Sequence, residues 1–253
     1  MSHQTKDKGD LAVLMALADL RRHGVVCCLP ISEHLPFDMV AVMPDMTTLV
    51  RLQVKYRKTN TVGTIHLPFR SNYYDSQKIY SKHVDLSHLD SYAVYSPETN
   101  QIYYIRTDEL LKDAKAITLR LHPPKNHQKT RIWYAENFIN PLRLANSSHV
   151  ANFNVQSVCQ ADEKATDFIM LDLIKQNIQP MIPRSTQLPF QLIGVCEDMK
   201  TLIRYGIGMD EVMTSPYVDM YAIYSSKTDE IVYIPASSVT ENLSKLTISK
   251  SRG

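Results

Sequence analysis

The sequence lacks the features that mark membrane and secreted proteins. No run of about 18 apolar residues occurs in the chain, which argues against a membrane-spanning helix. The polar N-terminus, MSHQTKDKGD, has no apolar core of the kind that a secretory signal needs. The four cysteines, Cys27, Cys28, Cys159 and Cys196, do not have the spacing of metal ligands. We therefore expect a cytoplasmic protein whose thiols stay reduced.

The composition is that of an ordinary globular protein, but its charge is unevenly distributed. With 253 residues, 44% of them hydrophobic and 21% charged, one large or two small folded domains are expected. Residues 1–144 contain 19 Lys and Arg against 14 Asp and Glu, and the remainder contains 9 against 12. A basic front part favours contact with a polyanion there. The alternative is a chance difference between two solvated surfaces.

A short stretch near the N-terminus carries the most informative pattern. Two apolar runs, Met39–Met43 and Leu49–Val54, flank a turn-like PDMT sequence and predict paired strands. Asp38 precedes the first strand, and Gln53 and Lys55 end the second on one face, because side chains alternate along a strand. A carboxylate, an amide and an ammonium group are therefore predicted to converge. A buried Lys there needs a partner, since unpaired buried charge is costly.

This order of residues resembles the signature of the PD-(D/E)XK nucleases, an Asp followed by (D/E/Q)-x-K. Three neighbouring segments resemble, more specifically, the homing endonucleases of group I introns of the cyanobacterial type, in which Gln replaces the middle acid. They are TKDKGDLAV (Thr5–Val13), PISEHLPFD (Pro30–Asp38) and QVKYR (Gln53–Arg57). The resemblance covers roughly the first 140 residues.

The resemblance implies an α/β fold, with a restriction-endonuclease-like core of mixed sheet and flanking helices. It also implies an Mg²⁺-dependent DNA endonuclease whose catalytic residues are Asp38, Gln53, Lys55 and Asp10. Asp38, Asp10, Gln53 and the carbonyl of Val54 would bind the metal, and Lys55 would orient or activate the attacking water. Asp10 is the candidate acid from the first helix. The alternative is that Asp10 is a charge at a helix N-terminus, favoured there by the helix dipole.

Residues 6–23 predict that first helix. Its apolar positions follow the helical period and are Leu11, Leu14, Met15 and Ala18. Gly24 suits the position after the helix, where a positive φ is needed. A strand over residues 25–29 is expected next.

Arg57–Lys82 mixes basic and aromatic residues, and its turn residues Asn60 and Gly63 predict a second β-hairpin. Such a ribbon suits DNA, with Lys and Arg on phosphates and strands in the major groove. The alternative is an ordinary solvated hairpin. Including two positions in the basic loop at 125–131, the predicted DNA-binding residues are Arg57, Lys58, His66, Arg70, Lys78, Lys82, Lys125 and Lys129. Further predicted elements are strands at 91–95, 101–105 and 116–121, and helices at 107–113 and 132–138.

The second half of the chain repeats the first. A shift of 153 residues places Pro183–Arg204 on Pro30–Arg51, and a shift of 129 places Asp219–Ile234 on Asp90–Ile105. At the three chemical positions the repeat carries Gln191, Gly206 and Gly208 in place of Asp38, Gln53 and Lys55. We therefore expect an active nuclease domain with its DNA-binding hairpin at 1–144 and a linker at 145–165. A degenerate nuclease-like domain, used as a scaffold or for oligomerisation, is expected at 166–253.

The expected function is site-specific, double-strand cleavage of DNA for intron homing. One alternative is a restriction or junction-resolving nuclease, since a fold does not determine its substrate. Another is a DNA-binding protein that has lost cleavage, which is favoured by Gln53 in place of an acid and by Asp10 in place of the more usual Glu of the helix. One competent site cuts one strand. We therefore expect at least two chains to act together as a homo-oligomer, most simply a dimer that is a pseudo-tetramer of domains.

Overall fold

The computed structural model describes residues 4–75, 78–111, 114–124, 132–145, 162–239 and 245–247, with the backbone alone for residues 4–5 and 71–83. The chain forms two compact units. The first comprises residues 1–25, 36–38 and 50–148, and the second comprises residues 26–35, 39–49 and 149–253.

In chain order the helices and strands are α1 (Gln4–Arg22), β1 (Val26–Pro30), β2 (Met39–Val42), β3 (Leu49–Tyr56), β4 (Thr64–Pro68), β5 (Arg70–Asp75), β6 (Lys78–His83), β7 (Ser91–Ser96), β8 (Gln101–Arg106), β9 (Ala116–Arg120), β10 (Trp133–Tyr134), α2 (Glu163–Lys175), β11 (Gln179–Pro183), β12 (Leu192–Val195), β13 (Leu202–Met209), β14 (Glu211–Met213), β15 (Met220–Tyr224), β16 (Ile231–Pro235) and β17 (Lys245–Thr247).

The first unit is built on a mixed sheet in which β3 runs parallel to β7 and β7 runs antiparallel to β8. Helix α1 packs against β7 and β8. Its buried face consists of Ala12, Ala16 and Leu20, four residues apart, and the hydroxyl of Tyr104 donates a hydrogen bond of 2.8 Å to Asp19 beside it. The mixed sheet with a flanking helix that the sequence predicted is confirmed.

The apolar face predicted for α1 is wrong. Leu11 and Leu14 are 43% and 62% exposed, while Ala12 and Ala16 are buried. Small side chains let the helix backbone approach the sheet closely, so two alanines face inward and the larger leucines remain outside. The prediction for Gly24 is confirmed, because its φ is +74° directly after the helix.

A turn forms at the predicted position, and an antiparallel bridge between Thr59 and Ile65 closes it. Gly63, with φ +72°, donates its N–H to the Asn60 carbonyl in a turn that precedes β4. Strand β4 then pairs with β9 rather than returning on β3, and β9 also pairs with β10. Strands β5 and β6 form a separate two-stranded antiparallel ribbon.

Two predicted helices are wrong. In the described part of 107–113, which ends at residue 111, a short 3-10 helix spans Thr107–Glu109. Leu110 is extended, and the Thr107 hydroxyl donates to the carbonyls of Leu89 and Asp90 instead of capping a helix. In the segment 132–138, strand β10 pairs in parallel with β9. A 3-10 helix, Ala135–Phe138, follows it.

The second unit contains the strands β2-β1-β11-β12-β13-β15-β16 in that spatial order. Neighbours are antiparallel except β13 and β15, which are parallel. Helix α2 packs against β11, β13 and β15 with Ala165, Ile169 and Leu173 buried. It begins inside the predicted linker, and residues 146–161 of that linker lie outside the described residues. Neither of the two described α-helices has the length and apolar character needed to cross a bilayer.

Candidate active site

Asp38 lies immediately before β2, and its carboxylate is held by β3. Its backbone N–H donates to the carbonyl of Leu52 at 2.9 Å. Its Oδ2 accepts two hydrogen bonds of 2.6 Å, from the backbone N–H of Val54 and from Nε2 of Gln53. Two adjacent residues of β3 therefore fix the carboxylate, and the predicted meeting of Asp38 with Gln53 occurs in the first unit.

Lys55 follows on the same strand and acts on Asp38 through its charge. Burial raises the pKa of Asp38, although the hydrogen bonds from Val54 and Gln53 and the charge of Lys55 oppose the change. Burial lowers the pKa of Lys55, with Arg57 adding to the effect and Asp38 opposing it. Both groups are thus shifted toward their neutral forms, which is typical of residues that perform chemistry rather than stabilise a fold.

A buried tyrosine completes this face of the sheet. Tyr92 of β7 lies opposite Gln53 in the parallel pairing, is 1% exposed and stacks on Phe69 with ring centroids 5.5 Å apart. Within the described part of the chain, its hydroxyl is the one buried side-chain polar atom without a hydrogen-bond partner. Burial raises its pKa to about 12, and the nearby positive charge of Arg57 opposes this shift.

Sequence reasoning missed Tyr92. Its position beside Gln53 follows from the pairing of β3 with β7, which no local pattern predicts. Arg57, predicted to contact DNA from the hairpin, is instead half-buried, with Nη1 donating to the Tyr56 carbonyl at 2.9 Å. Burial lowers the pKa of Arg57. It belongs to the same face as Lys55 and Tyr92.

Asp10 is exposed on α1, and its role as the helix acid stays a prediction. Among the described residues, no group of three or more His, Cys, Asp or Glu side chains is arranged to hold a metal ion. The donors that do meet fit a hard divalent cation in kind, because Asp38 and Gln53 supply carboxylate and amide oxygens. Oδ2 of Asp38 accepts both hydrogen bonds made to its carboxylate. Oδ1 is therefore the oxygen that can bind a ligand.

A family model of the PD-(D/E)XK endonucleases matches residues 3–140, which include Asp38, Gln53 and Lys55. The chain belongs to this family. It is a DNA endonuclease, of a kind that generally uses divalent metal ions.

Among solved structures, the bacterial homing endonuclease I-Ssp6803I is similar to this PD-(D/E)XK endonuclease. The two share 22% sequence identity over 53% of this chain and 87% of the other, with a TM-score of 0.43. No curated protein matches the chain.

An ion pair missed by sequence reasoning joins the two central strands of the nuclease site. Nε and Nη2 of Arg51, at the start of β3, donate to the carboxylate of Asp90 at 2.9 and 2.7 Å. The backbone N–H of Arg51 donates to the same group at 2.8 Å. Such two-pronged contacts are geometrically specific. The pair holds the start of β3 beside the residue before β7, in the register that makes Gln53 and Tyr92 neighbours.

The predicted DNA-binding residues that the structure describes lie on exposed positions, apart from Arg57. Lys58, His66 and Arg70 are exposed, and Nδ1 of His66 lies 3.1 Å from the hydroxyl of Thr118. They remain available for contact with phosphates.

The other predicted DNA-binding residues have no described side chains. The backbone of Lys78 and Lys82 lies in β6, opposite Asp75 and Ser71. Lys125 and Lys129 lie outside the described residues. Their contact with DNA stays a prediction.

Proposed function

We propose that this endonuclease makes site-specific double-strand cuts in DNA, depends on a divalent metal such as Mg²⁺, and acts in intron homing. The observation that carries the proposal is the Asp38 carboxylate fixed by Val54 and Gln53, with Lys55 beside it on the same strand. The homing role rests on the sequence segments around these residues, which resemble group I intron endonucleases.

Each residue has a distinct task in this proposal. Asp38, the amide oxygen of Gln53 and the Val54 carbonyl would hold the cation, with the Gln53 amide turned from the orientation in which its Nε2 donates to Asp38. A bound divalent cation would polarise the scissile phosphate and stabilise its developing charge. Lys55 would orient or deprotonate the attacking water, and burial, which lowers its pKa, favours its neutral form.

The amide of Gln53 also makes this site less negative than one with a second carboxylate. Fewer negative charges repel the DNA phosphate less, but they also attract a cation less strongly. We therefore expect cleavage to need a higher metal concentration than a site with two or three carboxylates would need.

A second candidate is a DNA-binding protein that no longer cuts. It is favoured by Gln53, an amide at a position where a second carboxylate would strengthen metal binding. Both candidates bind DNA, so binding alone does not separate them.

The test is cleavage of a plasmid carrying the uninterrupted insertion site, with and without Mg²⁺. We expect Asp38→Ala and Lys55→Ala to lower the rate at least about a hundredfold, as loss of a main catalytic group does. DNA affinity should largely remain, because phosphate contacts outside the site supply most of it. Gln191→Glu, which keeps an acceptor for Ile207, is the matched control and should cut normally.

Cleavage at the wild-type rate by either alanine variant would refute the assigned roles. Binding without any metal-dependent cleavage by the wild-type protein would support the second candidate instead.

A further inference from the structure

The strand pairings of the front part of the chain recur later in the chain. Strand β1 pairs antiparallel with β2, β3 parallel with β7, and β7 antiparallel with β8. With the same senses, β11 pairs with β12, β13 with β15, and β15 with β16. The later strands follow from the earlier ones by the sequence shift of 153 residues up to β13 and of 129 residues afterwards.

Side-chain hydrogen bonds recur with the strands. Nε and Nη2 of Arg204 donate hydrogen bonds to the carboxylate of Asp219 at 2.9 and 2.7 Å. Arg51 and Asp90 make the same two contacts at the same distances. A sheet does not require this contact, so its recurrence at shifted positions supports a common origin of the two parts.

The position of Asp38 keeps its structural contact but loses its charge. Its counterpart Gln191 accepts the backbone N–H of Ile207 through Oε1 at 2.8 Å, as Asp38 accepts that of Val54. The contact between Tyr104 and the first helix also has a counterpart, since Tyr233 donates to Asp172 at 2.8 Å.

In the later part of the chain, the space that corresponds to the Lys55 side chain is filled. A Cβ added at Gly208, the counterpart of Lys55, would lie 1.9 Å from the backbone carbonyl oxygen of Glu211. One added at Gly206, the counterpart of Gln53, would lie 2.9 Å from Cδ1 of Tyr221. Backbone and a core tyrosine occupy these places, so no side chain fits there without a local rearrangement.

The pairing of β1 with β11, both in the second unit, is self-complementary. Leu29 lies opposite Ile182, its own counterpart at a shift of 153. On either side the pairs are reciprocal, with Cys28 opposite Pro183 and Pro30 opposite Met181. A contact in which equivalent residues exchange partners is the mark of a two-fold interface between like subunits.

The hydrogen bonds at the two ends of this pairing obey the same reciprocity. The N–H of Ile31 donates to the Pro180 carbonyl at 3.4 Å, and the N–H of Arg184 donates to the Cys27 carbonyl at 2.8 Å. Shifting either bond by 153 residues and exchanging its partners produces the other.

We propose that residues 166–253 are a second copy of the nuclease fold that serves as a built-in partner. Strand β11 occupies the edge of β1 that an identical subunit would otherwise pair with. An open edge strand invites unwanted association, and a partner on the same chain covers it at high effective concentration. That this partner does not cut rests on the proposed function, whereas the pairing itself does not.

The first test uses the full-length chain with Pro183→Cys, which places a thiol opposite the native Cys28. Facing residues of antiparallel strands lie within the range of Cα separations that a disulfide spans. Produced under oxidising conditions, the variant should form a disulfide between residues 28 and 183 within one chain, identified by peptide mass. Ile182→Cys is the matched control, because its side chain points to the other face and should not join Cys28.

A disulfide-linked dimer, or a thiol at position 183 that never joins Cys28, would overturn the built-in pairing. The second test does not depend on disulfide formation. Leu29 and Ile182 are partly exposed and directly opposite, so a charge fits at either position.

We expect the double variant Leu29→Glu with Ile182→Glu to melt about 2 to 4 °C below Leu29→Lys with Ile182→Glu, because like charges directly opposite destabilise a strand pair. Equal melting temperatures would contradict the pairing. Neither test measures cleavage, so this inference and the proposed function fail separately.

Discussion

At the scale of residues, the site combines two charges that burial disfavours. The pKa of Asp38 is raised and that of Lys55 is lowered, so their charged forms reduce the stability of the folded chain at neutral pH. Proteins keep such groups where function needs them, and replacing them often increases stability. The sequence predicted that Asp38, Gln53 and Lys55 would converge, because strand alternation is a local rule. The sense of the pKa shifts depends on burial, which the local sequence does not determine.

The first prediction concerns the pH dependence of stability in metal-free protein. Burial raises the folded pKa of Asp38 above its ordinary value of 3.8. The protonated form is therefore favoured by folding, and its stabilising contribution is present below pH 3.8 and lost as the pH rises through the raised pKa. Compared with Asp38→Asn, the wild type should lose free energy of unfolding across that window. Urea unfolding in EDTA at a series of pH values measures the difference.

A difference that grows in favour of the wild type as pH rises would show that Lys55 and the hydrogen bonds outweigh burial. Parallel pH profiles would show that Asp38 has an ordinary pKa.

The second prediction contrasts two equivalent tyrosines. The hydroxyl of Tyr92 has no partner among the described residues, while that of Tyr221 bonds the backbone N–H and carbonyl of Ser215 at 2.8 and 3.0 Å. Tyr92→Phe should leave the free energy of unfolding unchanged or slightly higher, because it removes an unsatisfied buried group. Cleavage should fall roughly tenfold, the value of one hydrogen bond to substrate or water.

Tyr221→Phe is the matched control and should show the opposite pattern. Loss of its two hydrogen bonds should cost about 1 to 2 kcal/mol of stability, while cleavage by the folded enzyme stays normal. Chemical unfolding and plasmid cleavage measure both quantities. A fully active Tyr92→Phe enzyme would exclude the Tyr92 hydroxyl from the reaction.

At the scale of elements, the ribbon of β5 and β6 is the candidate for reading DNA. Replacing Arg70, Lys78 and Lys82 with Gln should weaken binding and reduce the salt dependence of the affinity. For each phosphate contact that is lost, DNA binding releases about one fewer counterion. The slope of log K against log salt should therefore fall by about one per contact. Fluorescence anisotropy at several salt concentrations measures that slope.

Lys164, Lys175 and Lys227, all outside residues 1–144, provide a triple-Gln control that lowers the charge equally. An unchanged slope in the ribbon variant would mean that the ribbon faces solvent in the complex. An equal fall in both variants would indicate general charge rather than direct contact.

The sequence predicted strands better than helices, and the reason is physical. Strands β7 and β8 are runs of buried residues on either side of a polar turn. This pattern can be recognised in the sequence without knowing which strands pair with them. The buried face of α1 depends instead on the sheet that it meets, where Ala12 and Ala16 fit more closely than leucines. The helix expected at 107–113 failed because the Thr107 hydroxyl has distant carbonyl partners.

At the scale of the whole molecule, chain order and spatial grouping differ. The sequence places a linker at 145–165 between two copies, but the second compact unit includes residues 26–35 and 39–49 of the front part. The pairing of β1 with β11 accounts for this grouping. The sequence alone does not predict this self-complementary pairing of strands, because it depends on the register between two segments that are 153 residues apart.

The last prediction concerns how many chains make a double-strand cut. The chain carries one complete set of Asp38, Gln53 and Lys55, and the positions of Gly206 and Gly208 have no room for replacements. The proposed double-strand cut would then need two chains, as in a two-fold dimer on a partly symmetric target. Mixing wild-type and Lys55→Ala chains in equal amounts before assembly should leave about one quarter of the pairs with two competent sites and about half with one. Plasmid should therefore accumulate in the nicked form while linear product forms at about one quarter of the wild-type rate.

A linear product that falls only by half, without accumulation of nicked plasmid, would mean that a single chain cuts both strands. Adding Lys55→Gln in place of Lys55→Ala controls for changes in assembly, and it should give the same ratio of nicked to linear DNA.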